Sequence, residues 1–353
     1  MTTPTSRHAK RGSSASGPTL AALDLGTNNC RLLVARARDQ EFDVVDSFSR
    51  IVRLGEGVAG SGRLTERAMA RTLSALRICA RIMARNSVER TRCVATEACR
   101  RALNGVDFLA RVQRSTGLEL EILPNDQEGR LALLGCLPLV DPAAEHVLLI
   151  DIGGGSTELL WMHRQPAGGA VLRCTVSLPV GVVSLTEAFS GEPGEATFED
   201  MVRHVQALLV PIEAAHRIRA ALSGARVQML GTSGTVTTLA AFHLNLPRYD
   251  RRRIDGLIVD ATAVDAVSRK LRAMSNHQRA THACIGPGRA DLVVAGCAIL
   301  EAALRSWPVP TLRVADRGLR EGILHSLMGR SLEQALARPD AAADRIVVGS
   351  HVA

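Results

Sequence analysis

The sequence predicts a mixed α/β protein of two lobes. Three observations predict it: a length of 353 residues, a glycine-bearing hairpin loop made twice, and strands that alternate with helices between and after the two copies. A chain this long exceeds what one hydrophobic core usually organises, so two domains are the starting expectation. The loop occurs at Leu23-Asp24-Leu25-Gly26-Thr27-Asn28-Asn29-Cys30-Arg31-Leu32-Leu33 and again at Ile150-Asp151-Ile152-Gly153-Gly154-Gly155-Ser156-Thr157-Glu158-Leu159-Leu160. In each copy an apolar strand ends at an aspartate, a glycine follows, small polar residues fill the turn, and a Leu-Leu pair carries the return strand. Arg31 holds in the first copy the place that Glu158 holds in the second.

Residues 1–18 are polar, basic and rich in Ser and Gly, without the apolar stretch of a secretory signal, which predicts a disordered leader and a cytoplasmic protein. After the first hairpin, Met69, Leu73, Leu76, Ala80 and Met83 recur at helical spacing behind Thr65, a helix cap. A strand at about 91–96, a helix at 104–116, a strand at 118–123 and a helix capped by Asn125 or Asp126 follow. The second half reads as strands across 146–178, a helix at 197–220, a strand at 226–230 and helices to about 305. A last strand at 311–315 precedes Asp316-Arg317-Gly318 and a final helix to about 329. The expected lobes are 19–140, with about 310–330 returning to it, and 141–309. Residues 331–353 read as a polar tail.

Composition narrows the function. Hydrophobic residues make up 46% and charged residues 22%, as in a folded domain, and no apolar run approaches the ~20 residues that span a bilayer, so a membrane role lacks support. Eight cysteines without a C-x-x-C pair sit in apolar segments, which predicts buried thiols and neither disulfides nor zinc. The net charge of +8 is carried almost wholly by arginine, which suits a polyanionic partner. Aromatic content of 3% leaves few rings for stacking bases, so DNA or RNA binding is not expected. Ten histidines show no metal-ligand spacing and no G-x-S-x-G appears, which removes zinc hydrolysis and serine-triad chemistry. The run Arg251-Arg252-Arg253 could guide a long polyanion toward the cleft, although a short basic run is more often solvated surface.

The duplicated loops carry the chemistry. Glycine lets the chain approach a ligand closely with its amides toward an anion, and the adjacent aspartate can hold magnesium. Two such loops facing each other would clamp a phosphate chain through Asp24, Gly26, Thr27, Asn28 and Asn29 on one side and Gly153, Gly154, Gly155 and Ser156 on the other. Asp151 and Glu158 can share one metal ion or the attacking water. Arg31 offers forked contact to phosphate. The strand-to-helix turn Gly231-Thr232-Ser233-Gly234 either aims amides at the cleft or is a tight connection only. Glu128 falls in the first turn of its helix, ionised beside the positive helix end; the competing reading is a capping box with Asn125.

With these loops, other runs appear in order: Ala95-Thr96-Glu97-Ala98-Cys99-Arg100, Asn125-Asp126-Gln127-Glu128-Gly129-Arg130, Leu178-Pro179-Val180-Gly181, Gly231-Thr232-Ser233-Gly234-Thr235, Arg289-Ala290-Asp291 and Gly318-Leu319-Arg320-Glu321-Gly322. Over about 20–329 the chain resembles the exopolyphosphatase and guanosine pentaphosphate phosphohydrolase family. The resemblance implies two ribonuclease-H-like lobes of the actin-like ATPase superfold around a cleft, in the short form without a helical HD-type domain. It implies hydrolysis of a terminal phosphoanhydride with Glu128 activating water, and phosphate contact by Arg100. Arg130, Arg289 and the Gly231–Gly234 turn are further candidates. Magnesium is the implied cofactor, with potassium as a further candidate, and a homodimer is plausible for the family. Inorganic polyphosphate is the lead substrate and guanosine pentaphosphate the alternative; an actin-superfold kinase and a non-catalytic polyphosphate or alarmone sensor are rival classes. Glu97 departs from the small or polar residue expected at its place, and Asn29 from the more usual serine. The unequal charges at Arg31 and Glu158 make the second loop the catalytic side and the first the grip.

Overall fold

The computed structural model describes residues 17–166, 168–189 and 195–337. Most of the expected leader and tail lies outside them. The first sheet runs β3-β2-β1-β4-β5, built from β1 (Thr19–Leu25), β2 (Asn29–Arg38), β3 (Glu41–Ile51), β4 (Arg90–Ala95) and β5 (Leu120–Ile122). The strands β1, β2 and β3 form an antiparallel meander, and β4 and β5 add in parallel. The near-continuous apolar runs of β1 reflect cover on both faces. On one face lies the helix Glu66–Arg85, its start held by the Thr65 hydroxyl, which accepts from the Ala68 amide.

The second sheet repeats this order. From β6 (His146–Ile152), β7 (Thr157–Arg164) and β8 (Ala170–Leu178) it continues through β9 (Val227–Thr232) to β11 (Thr311–Ala315), with β10 (Ile258–Asp260) added at the edge, in the order β10-β11-β9-β6-β7-β8. Again three antiparallel strands are followed by two parallel ones. The duplication seen in the loops therefore extends to the whole of each ribonuclease-H-like sheet.

The structure corrects one expected boundary. The last strand, β11, lies in the second sheet, because Leu312 and Val314 are core residues there and pair alongside β9. Only the helix after it, Leu319–Leu327, returns to the first lobe, where Leu319, Ile323 and Leu324 pack with Leu20, Ala22 and Leu33. The helix Asn125–Cys136, which follows the first sheet, packs in turn on the second sheet through Ala132, Leu133 and Cys136 against Leu149, Leu160 and Met162. Each lobe thus lends its last helix to the other. A short helix, Leu332–Ala337, occupies part of the expected tail. The strand β3 escaped sequence reading because it is an exposed edge strand with little apolar alternation.

The two exchanged helices cross at glycines. A methyl group at Gly322 would fall 1.8 Å from the Leu131 carbonyl oxygen, and one at Gly135 would fall 2.1 Å from that of Gly318. No rotamer relieves a clash with backbone. Gly322→Ala is therefore expected to destabilise the protein by about 1–3 kcal/mol or more, read as a lower midpoint in urea unfolding. An unchanged midpoint would show that the helices shift apart freely.

Candidate active site

The two loops are built alike at the backbone. Gly26 N donates to Asn29 O and Gly153 N to Ser156 O, both at 2.9 Å. Strand register then places Asp24 directly opposite Arg31, and Asp151 directly opposite Glu158. The first pair is of opposite charge. The second sets two carboxylates side by side, which costs stability unless a cation or proton joins them. The loops also touch. A methyl at Gly154 would lie 2.9 Å from Thr27 Cβ and 3.0 Å from Asn28 N, and one at Gly155 would lie 2.8 Å from Thr27 Oγ1. The glycine triplet thus lets the two hairpins meet as well as approach a ligand.

Around them opens a cleft of about 690 Å³, lined from both lobes. Beyond the loops, its walls include Glu128, the start of the helix Ser233–His243, Arg289 and the segment Asp316–Glu321. Arg31 and Arg289 flank Gly234: a methyl there would lie 3.4 Å from Arg31 Nη2 and 3.8 Å from Arg289 Cζ. Burial, and then the Arg31 charge, lower the pKa of Arg289, whose Nη1 donates to Thr238 Oγ1 at 3.0 Å. Two guanidiniums converging beside a side-chain-free glycine make a seat for an anion. At the cleft's rim the lobes are tied by Arg53, whose Nη2 meets Asp291 Oδ1 at 2.8 Å while its amide donates to Asn28 O.

The carboxylates are held above their ordinary range. Burial, and then Glu158, push Glu128 well up, against the opposing Arg100 charge. Burial and then Asp151 raise Glu158 to about 8, although hydrogen bonds from Ser156 and Ser177 oppose this. Asp151 is raised to about 6, chiefly by burial, with Arg31 pulling the other way. Asp24 is raised by burial, while Arg31 and Arg320 oppose. In the first loop Thr27 Oγ1, Asn28 Oδ1 and Asn29 Oδ1 are buried with no hydrogen-bond partner. Such atoms in a cleft await a ligand.

These donors fit magnesium. Among the described residues no three His, Cys, Asp or Glu side chains gather as a cage. Magnesium commonly takes one or two carboxylates and completes its shell with water and substrate phosphate. Asp151 and Glu158, cross-strand partners in the cleft, are the two that would hold it. Because these carboxylates are raised in the folded state, their neutral forms stabilise the metal-free protein below about pH 4, and that contribution is lost as pH rises through about 6 and about 8. The metal-free melting temperature is expected to fall between about pH 5 and pH 8, and added magnesium to raise it more at the higher pH. Equal magnesium shifts at both pH values in a thermal melt would contradict this assignment.

The cleft brings together Asp24, Gly26, Thr27, Asn28, Asn29, Arg31, Glu128, Asp151, Gly153, Gly154, Gly155, Ser156, Glu158, Thr232, Ser233, Gly234 and Arg289. The hydroxyls of Thr232 and Ser233 already donate to Arg317 O and Ile152 O, both at 2.6 Å, which leaves the helix-start amides to face the cleft. Three candidates lie elsewhere. Arg130 pairs with Glu333 at 2.6 Å on the surface, because its helix turns it outward. Gly231 lies under Val236 and Leu312, whose side-chain carbons would be 3.0–3.1 Å from an added methyl. Arg100 turns from the cleft to Glu97 at 2.7 Å and Glu128 at 3.2 Å. The expected cap also fails: the helix begins at Asn125 behind Pro124 with no side-chain cap, so Glu128 is no part of a capping box. Burial opposes its expected easy ionisation, and Arg100 favours it. Sequence reading missed Arg320, which lines the cleft and acts on Asp24. Its signal was its place in Gly318-Leu319-Arg320-Glu321-Gly322.

Comparison with known proteins agrees with this architecture. A model of the Ppx/GppA phosphatase family matches residues 33–331. The exopolyphosphatase 2 of Mycobacterium tuberculosis is 32% identical, covering 88% of this chain and 98% of its own. The exopolyphosphatase 1 of the same organism is 27% identical over 86% of this chain and 87% of its own. Among solved structures, the Aquifex aeolicus member of the Ppx/GppA family superposes with a TM-score of 0.71 at 30% identity, covering 88% of this chain and 97% of that one. An exopolyphosphatase from Cytophaga hutchinsonii, at 23% identity over 89% of this chain and 99% of its own, shares the fold with a TM-score of 0.80.

Proposed function

The chain belongs to the Ppx/GppA phosphatase family, and from that premise we propose that it is an exopolyphosphatase that releases orthophosphate from the end of inorganic polyphosphate. The observation that carries this reading is the convergence of Arg31 and Arg289 at Gly234 in the same cleft as Glu128, Asp151 and Glu158. In the proposed mechanism the two guanidiniums and the loop amides grip the terminal phosphates. Glu128, in its ionised form, takes the proton from a water in line with the terminal phosphorus. Asp151 and Glu158 would hold magnesium, which when bound neutralises phosphate charge and polarises the phosphoryl oxygens. Potassium is a further candidate at the same phosphates. The surplus of positive charge on the chain suits a long polyanion. Eight unpaired, buried cysteines accord with a cytoplasmic setting.

A second substrate has its own support. Tyr249, the sole tyrosine, lines the same cleft with its hydroxyl hydrogen-bonded to Asp316, a fixed ring that suits a purine, so guanosine pentaphosphate is the alternative. Phosphate release from long polyphosphate, guanosine pentaphosphate and ATP, each with magnesium, tests the proposal. Release from polyphosphate foremost is expected. Binding of polyphosphate with no phosphate released would instead select a sensor, and phosphate passed to an acceptor would select a kinase.

A further inference from the structure

The residue that departs from the expected pattern, Glu97, is also the one that decides where Arg100 points. Glu97 opens the short helix Glu97–Arg101 after β4 and is 7% exposed. Its Oε2 accepts from Arg100 Nη2 at 2.7 Å and from Nε at 3.1 Å. The remaining edge of the guanidinium faces the other way, where Nη1 donates to the Leu123 carbonyl at 2.5 Å and to Glu128 Oε2 at 3.2 Å. Glu97 Oε1 lies 3.8 Å from Arg101 Nε, and its Cγ would be 3.0 Å from a methyl at Gly155, so its stem rests on the second loop.

Two buried carboxylates share the Arg100 guanidinium, and beside one of them lies only the more exposed Arg101. Arg100 with Glu128 alone would already balance, and a further buried acid adds desolvation cost. What Glu97 adds is orientation: a guanidinium gripped along Nε and Nη2 is fixed in plane, so that its Nη1 is divided between the Leu123 carbonyl and Glu128 Oε2. We infer that Glu97 is a positioning residue that takes Arg100 away from the substrate and uses it to aim Glu128, holding Oε2 so that Oε1 is presented to the cleft. This rests on the reading of Glu128 as the base. The phosphate grip then falls to Arg31, Arg289 and Arg320.

The test is steady-state phosphate release from polyphosphate by Glu97→Ser, Glu97→Gln, Arg100→Gln, Glu97→Ser/Arg100→Gln and Glu128→Gln, with thermal melts of each. For Glu97→Ser, kcat is expected to fall about tenfold to a hundredfold, the scale of a misplaced catalytic group. Its KM should hold or fall, since the released Arg100 can then reach phosphate. Merely weakened folding would not lower KM. Glu97→Gln, which keeps an acceptor at the same reach, should retain more kcat than Glu97→Ser, and the double variant should lose no more than Arg100→Gln alone. Should Glu97→Ser fail to fold, Glu97→Gln set against Arg100→Gln carries the same comparison. Wild-type kcat in the Glu97 variants, or multiplying losses in the double variant, would overturn the inference. Full activity in Glu128→Gln would instead overturn the reading beneath it.

Discussion

Glu128→Gln is expected to lower kcat for phosphate release by about 10²–10⁴-fold while leaving KM within about twofold, since an amide keeps the shape of the side chain and cannot accept the proton. The size follows from its setting. Glu128 is 8% exposed, at the first turn of the helix that the first lobe lends to the second, and Arg100 holds one of its oxygens. Burial and the neighbouring Glu158 favour its protonated form, so the ionised base becomes more abundant as pH rises. The rate of the metal-loaded enzyme should accordingly climb on the acid side and lose that limb in the variant. Steady-state kinetics across pH check both statements, and full activity in Glu128→Gln would remove the residue from the chemistry.

The second large effect separates the two loops. Glu158→Gln is expected to cut kcat by about a hundredfold or more and to demand far more magnesium, because it removes one of two adjacent carboxylates from the proposed metal position. Arg31→Gln should act mainly on KM, raising it about tenfold, because it removes a forked charge contact to phosphate. Register makes the comparison fair: each residue stands opposite the aspartate of its own loop. Magnesium titrations of both variants distinguish the roles, and equal losses of turnover would contradict a division into catalytic loop and grip.

Much of this was legible in the sequence because the duplication leaves its mark in one dimension. Asp24 with Arg31 and Asp151 with Glu158 are cross-strand partners over a tight turn, so a fixed offset in sequence becomes contact in space. The strand 311–315 was equally clear in its bounds. Its lobe was not, because parallel pairing with β9 joins residues far apart in the chain and no local pattern records it. The setting of Arg100 was hidden for a similar reason. Its neighbour Glu97 was visibly out of pattern, yet only side-chain geometry shows that this acid pairs with the guanidinium. The glycine triplet was read as an anion seat, and the structure adds that Thr27 and Asn28 press against it.

Hydrolysis of polyphosphate in water enriched in ¹⁸O tests the central claim most directly, namely that Glu128 delivers a water to the terminal phosphorus held between Arg31 and Arg289. The account predicts one solvent oxygen in each orthophosphate released and none in the ends of the shortened chains. Label in the chain ends, with unlabelled orthophosphate, would place the attack at the penultimate phosphorus and contradict it.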